Sequence, residues 1–152
     1  MSTVTKTTEL ERSTLSLAHE VILHRNTSQI GVDVVEIDRF ARQLNTVGER
    51  LATRWFTLAE REFCAGEPDR LAVTLAGKEA VAKVLRTGFR GGVRWTQIEI
   101  LRESAGAPYV KLHGDAAQRA SLMAIERIAI SLCHEGPYAV AVAAGLQRAG
   151  SQ

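Results

Sequence analysis

Apolar positions change their spacing several times along the chain, and each change marks an element. From Ile30 to Ile37 they run almost unbroken, rich in valine and isoleucine, which predicts a strand; Asp33 is the exception inside it. The spacing then lengthens to three and four. Ile37, Phe40, Ala41, Leu44 and Val47 share one helical face, with Asp38, Arg39 and Arg42 on the other. Gly48 ends that helix. Thr57-Leu-Ala-Glu60 spells a capping box, so a second helix opens there and stops near Gly66. Pro68 suits the first turn of a third, longer helix, which carries Leu71, Leu75, Ala82 and Leu85 on one stripe and ends at Thr87-Gly88.

The second half has a shorter period. Residues 95 to 101 and 108 to 112 read as strands joined through Ser104-Ala-Gly-Ala. Asp115 is placed to cap a short helix reaching about Met123. Ile128, Ile130 and Leu132 alternate, as do Val140 and Val142 beyond Glu135-Gly136-Pro137, which predicts a second hairpin. Helices gather in the first half and antiparallel pairs in the second, so the expected class is α+β, with an antiparallel sheet packed against the long helix. Residues 1–28 form a weakly patterned extension in which Leu15, Ala18 and Ile22 suggest a short helix and Asn26-Thr27-Ser28 a break. Residues 29–146 are the expected domain and 147–152 a tail.

Composition narrows the classes. A chain of 152 residues with 45% apolar and 24% charged residues is a single globular domain. A formal charge of +2 is too weak to argue for nucleic acid but suits an anionic ligand or partner. Cys64 and Cys133 stand far apart, in no zinc or disulfide pattern, which points to a reducing compartment. No apolar run approaches the ~20 residues of a membrane span. The polar first 28 residues do not read as a secretory signal, so cytoplasm is the expected location.

Four features carry candidate chemistry. Asp33 places a carboxylate in an apolar strand, so it is either exposed at an edge or supplied with a cation, donors or a wet cleft. Glu79 and Lys83 are spaced i, i+4, which is also the spacing of an ordinary surface pair. Around them Ala76, Gly77, Ala80 and Ala82 leave room for close approach to the helix; a phosphate would suit Lys83, and a hard divalent cation would suit Glu79 if Asp33 faced it. His134 closes a strand just before a turn. The Arg86-Thr87-Gly88-Phe89-Arg90-Gly91-Gly92 loop is basic and glycine-bearing but lacks the Walker ending.

Taken in order, these pieces resemble a known signature. Gly31-Val32-Asp33 with Glu36 and Arg39, Phe56-Thr57-x-x-Glu60, and Gly77-Lys78-Glu79-Ala80-x-x-Lys83 are similar to the motifs of 4'-phosphopantetheinyl transferases, in particular the holo-acyl-carrier-protein synthase type. Trp95-x-x-Ile98-Glu99-Ile100, Gly106-x-Pro108-Tyr109-Val110, Leu112-x-Gly114 and Ser131-Leu132-x-His134-Glu135 with Tyr138-Ala139 follow in the family's order, covering about residues 29 to 145.

The resemblance implies transfer of 4'-phosphopantetheine from coenzyme A to a serine of an acyl carrier protein or carrier domain, with release of 3',5'-ADP. It implies that Asp33 and Glu79 hold Mg2+, that Glu79 helps remove the serine proton, and that Lys83 neutralises phosphate charge. Coenzyme A would meet Lys78, Lys83, Gly88 and His134, and the carrier Arg39 and Arg42. It also implies a homotrimer with sites between subunits. Thr74, Leu75 and Gly77 depart from the usual arginine, aromatic and alanine. A non-catalytic paralogue that binds a nucleotide or carrier is the alternative. The carrier, whether of a fatty-acid, polyketide or peptide synthase, stays open.

Overall fold

A computed structural model describes residues 27–89 and 92–147 of the chain. The extension helix suggested by Leu15, Ala18 and Ile22, Arg90, and the tail from residue 148 lie outside these residues. Strand β1 spans Thr27–Glu36 and runs directly into helix α1, Ile37–Val47. Then come α2, Glu49–Trp55; α3, Leu58–Cys64; and α4, Pro68–Val84. A 3-10 turn at Trp95–Gln97 leads into β2, Ile98–Arg102, which pairs with β3, Pro108–Leu112. Helix α5, Gly114–Leu122, precedes β4, Ile125–Glu135, and β5, Tyr138–Gln147.

The strands make a three-stranded antiparallel sheet in the order β1-β5-β4 and a separate β2-β3 hairpin. This is the α+β arrangement expected. Register assigns the two faces of the larger sheet. Gly31, Asp33 and Val35 align with Ala143, Ala141 and Ala139, which align with Ile130, Leu132 and His134. The three β5 alanines are fully buried, because α4 lies across them.

The small residues of α4 are explained by this contact, which corrects the expectation that they leave room for a ligand. What approaches is the sheet. A Cβ added at Gly31 would run into the Ala80 carbonyl oxygen, and one at Gly77 would meet Leu132 Cδ2 at 3.1 Å. The middle of α4 is buried on all sides, from Leu71 to Lys78, rather than along one stripe. The sheet covers one side; α1, α3 and β2 cover others.

The predicted boundaries move in physically simple ways. β1 starts at Thr27, where a break was expected. Helix α4 ends at Val84, and the chain turns through Arg86 and Gly88, both at positive φ. Helix α2 was not predicted; it buries no side chain and has no side-chain cap. Asp115 does not cap α5: His113 holds the N-cap position, and Asp115 accepts a hydrogen bond from Gln97 Nε2. The Thr57 box is formed as read, with both reciprocal hydrogen bonds present.

Candidate active site

β1 delivers Asp33 and α4 delivers Glu79 and Lys83 to one place. Asp33 shares its sheet face with Gly31, and the missing side chain there lets α4 lie close against β1. Lys83 Nζ donates to Asp33 Oδ1 at 2.9 Å and to the Val32 carbonyl at 2.6 Å. Asp33 and Glu79 line the same open cavity of about 450 Å3, together with Glu36, Arg39, Gln43 and Tyr138. Glu79 forms no ion pair among the described residues. Burial raises its pKa, the charge of Asp33 raises it further, and Lys83 opposes both. Two carboxylates thus repel one another across an open pocket.

Lys78 requires a correction. The resemblance assigned it to coenzyme A, yet the side chain is fully enclosed on the side of α4 away from the sheet. Its ammonium group meets Glu60 Oε2 at 2.7 Å and donates to the Trp95 and Ile98 carbonyls at 2.9 and 2.6 Å. All three of its protons are used within the protein. Burial pulls its pKa below the ordinary lysine range, while Glu60 holds it up.

The capping box extends into this closed cluster. Glu60 also accepts from the Thr57 and Ile100 amides, each at 2.8 Å. Thr57 Oγ1 donates to Glu99 Oε1, and Glu99 Oε2 lies 2.9 Å from His113 Nε2. Sequence reasoning gave Glu60 the role of a cap and a place in the motif set, but not its partnership with Lys78, because its partners lie far along the chain.

His134 is not beside Asp33 and Glu79. It lies on β4, the opposite edge of the sheet from β1, and lines a pocket with Phe63, Asp69, Arg70, Val73 and Arg102. Arg102 and Arg70 stand over the Phe63 ring, their guanidinium carbons 5.0 and 6.0 Å from its centroid. Arg39 and Arg42 are exposed on α1, Arg39 at the rim of the cavity. Gly88 sits at φ +55 with open space around its Cα. Thr74, which replaces the usual arginine, is buried and donates to the Arg70 carbonyl.

The sequence model of the 4'-phosphopantetheinyl transferase superfamily matches residues 29–143. The chain belongs to this superfamily. Within it, a holo-[acyl-carrier-protein] synthase of Geobacter sulfurreducens is 39% identical over 115 residues, 74% of this chain and 91% of that protein. The crystal structure of the holo-[acyl-carrier-protein] synthase from Neisseria meningitidis matches at 31% identity with a TM-score of 0.69, covering 77% of this chain and 96% of that one. A Chronobacterium ammoniagenes complex of the same enzyme with coenzyme A matches at 29% identity and a TM-score of 0.67, over 79% and 98% of the two chains. The phosphopantetheinyl transferase expectation therefore holds for family and fold class. Among the described residues no helix is long and apolar enough to cross a membrane.

Proposed function

We infer that this chain moves the 4'-phosphopantetheine group of coenzyme A onto a carrier-protein serine, leaving 3',5'-ADP, and that it does so with Mg2+ in the cytoplasm. The reaction follows from membership of the superfamily and from the holo-[acyl-carrier-protein] synthases similar to it. The observation that supports the site is the meeting of Asp33 and Glu79 at one cavity from positions 33 and 79 of the chain.

The donor set fits magnesium. No group of three or more metal-binding side chains occurs among the described residues. Two carboxylates are enough for this ion, because substrate phosphates and waters complete its shell. Bound there, it would supply Lewis acidity and a template for the pyrophosphate. Lys83 uses two of its three protons on Asp33 and Val32, so one remains for phosphate oxygen. Glu79, its pKa raised, suits the acceptance of a serine proton. The transfer needs aligned reactants and neutralised charge more than a protein nucleophile.

Arg39 and Arg42 form a basic rim for an acidic carrier helix, and Gly88 borders the coenzyme A path. His134 meets the nucleotide of a site that another copy completes, since β5 separates its strand from that of Asp33. The outer face of the sheet supports a homotrimer: Ile30, Val32, Val34 and Val142 stand exposed side by side there. The domain is taken as residues 29–146.

Incubation with coenzyme A, magnesium and several carriers tests this reading by mass spectrometry. The carrier serine gains one phosphopantetheine, and EDTA abolishes the gain. A chain that retains nucleotide but never modifies a carrier is the non-catalytic paralogue instead.

A further inference from the structure

The small face of α4 fits the sheet, and a directional contact holds its opposite face. Ala72, Ala76, Gly77 and Ala80 fall within one sector of the helix, toward the sheet, while Leu71, Leu75 and Val81 lie on the other side, and its middle is buried all round. Apolar burial is non-directional, so this packing by itself resists a small turn of the helix about its axis less sharply than a directional bond does. Hydrogen bonds are directional. Among the charged residues of α4, Lys78 alone is enclosed, and its three bonds reach a carboxylate of α3 and two carbonyls at and after the 3-10 turn. Glu60 is itself held by backbone amides of Thr57 and Ile100. The anchor point is therefore rigid on both sides.

Glu79 follows Lys78 in sequence and lies about 100° further round the helix, and Lys83 lies about 140° round. A modest turn of α4 would carry both away from Asp33. The two faces of the helix are thus linked: one is locked so that the other points correctly.

We propose that Lys78 and Glu60 are positioning residues, whose enclosed pair fixes the rotation of α4 and so sets Glu79 opposite Asp33. The inference rests on the metal site described above, and it reassigns the lysine of the Lys-Glu-Ala motif from ligand contact to alignment. Neither residue touches the cavity that Asp33 and Glu79 line.

The test is manganese affinity, read by the electron paramagnetic resonance of free Mn2+ with the full chain. Four proteins are compared: wild type, Glu79→Ala, Glu60→Gln, and the double variant Lys78→Met with Glu60→Gln. The double variant removes both charges together and keeps an acceptor for the Thr57 or Ile100 amide. It is expected to fold, by circular dichroism, yet to bind Mn2+ about tenfold or more weakly, the range seen when a group that orients a metal ligand is lost. Its kcat is expected to fall more than its KM for coenzyme A rises.

A folded double variant whose Mn2+ affinity stays within about twofold of wild type overturns the proposal, because a purely structural pair would change the melting temperature and not the affinity. Should the double variant fail to fold, Glu60→Gln alone decides, with an expected loss of about threefold or more against an unchanged affinity that refutes positioning. Glu79→Ala separates the two readings. If it binds Mn2+ as wild type does, the metal site itself is wrong and the positioning role falls with it.

Discussion

Two acid–lysine clusters flank α4, and they are built in opposite ways. On the side toward α3 and β2, Lys78 and Glu60 meet with neither side chain exposed, and every proton of the ammonium group is used. On the side toward β1, Lys83 meets Asp33 at a similar distance, but the lysine side chain is 51% exposed and a second carboxylate stands by with no ion pair among the described residues. The closed cluster is complete in itself. The open one has spare charge beside a cavity, which is where a cation and a phosphate have something to bind. Separation in sequence does not distinguish them; enclosure does.

Loss of Glu79 should break the comparison most sharply. Glu79→Ala removes a proposed metal ligand, and the several kcal/mol of charge stabilisation a metal supplies correspond to a rate loss on the order of 10³-fold. Carrier labelling measures that loss, and the urea midpoint should stay put. In the closed cluster the consequence is reversed. Lys78→Met leaves the Glu60 charge enclosed without its partner, and stability should drop by about 3–5 kcal/mol in denaturant titration. Lys83→Met, at its half-exposed site, should change stability by less than about 1 kcal/mol while impairing transfer.

Gly31→Ala tests the contact that brings the open cluster together. The new methyl meets the Ala80 carbonyl, so β1 must move off α4, with an expected cost of about 1–3 kcal/mol and weaker Mn2+ binding. Smaller again is Arg39→Ala. It should raise the KM for an acidic carrier, on the order of tenfold at low ionic strength and less as salt is added; a salt-independent effect would argue against a charge contact.

The smallest effect concerns pH. Burial pushes the Glu99 carboxyl up, but hydrogen bonds from His113 and Thr57, with the charges of His113 and Lys111, outweigh it and leave its pKa below the usual 4.5. A folded pKa below the unfolded one adds stability above pH 4.5 that disappears as pH falls through the folded value. Glu99→Gln should therefore be slightly less stable than wild type at neutral pH, with the gap closing in acid. A gap that widens below pH 4 to 5 would put the charge of Glu99 outside the closed cluster.

Much of this was legible in local pattern. The valine-rich run, the i, i+3, i+4 spacing of α1, the Thr57 capping box and the two hairpins all report interactions within a few residues. Helix α2 was missed because it has no buried stripe to announce it. Asp115 was misread because Gln97, its actual partner, is remote in sequence and in a different element. Asp33, Glu79 and Lys83 stood out by residue type and surroundings before the resemblance joined them in one motif set, but nothing in their spacing shows that Asp33 and Lys83 touch.

By itself the sequence determined most of the strands and helices, though not α2, which superfamily the chain joins, and that α4 carries two lysines and a glutamate. Only the tertiary structure decided their fates. The α4 backbone turns about 100° per residue, so Lys78 and Glu79, though adjacent, leave the helix in different directions. One is closed over by α3 and β2, and the other opens onto a cavity beside β1. What separates them is the neighbour each direction meets, and that is a property of the assembled layers, not of the residues.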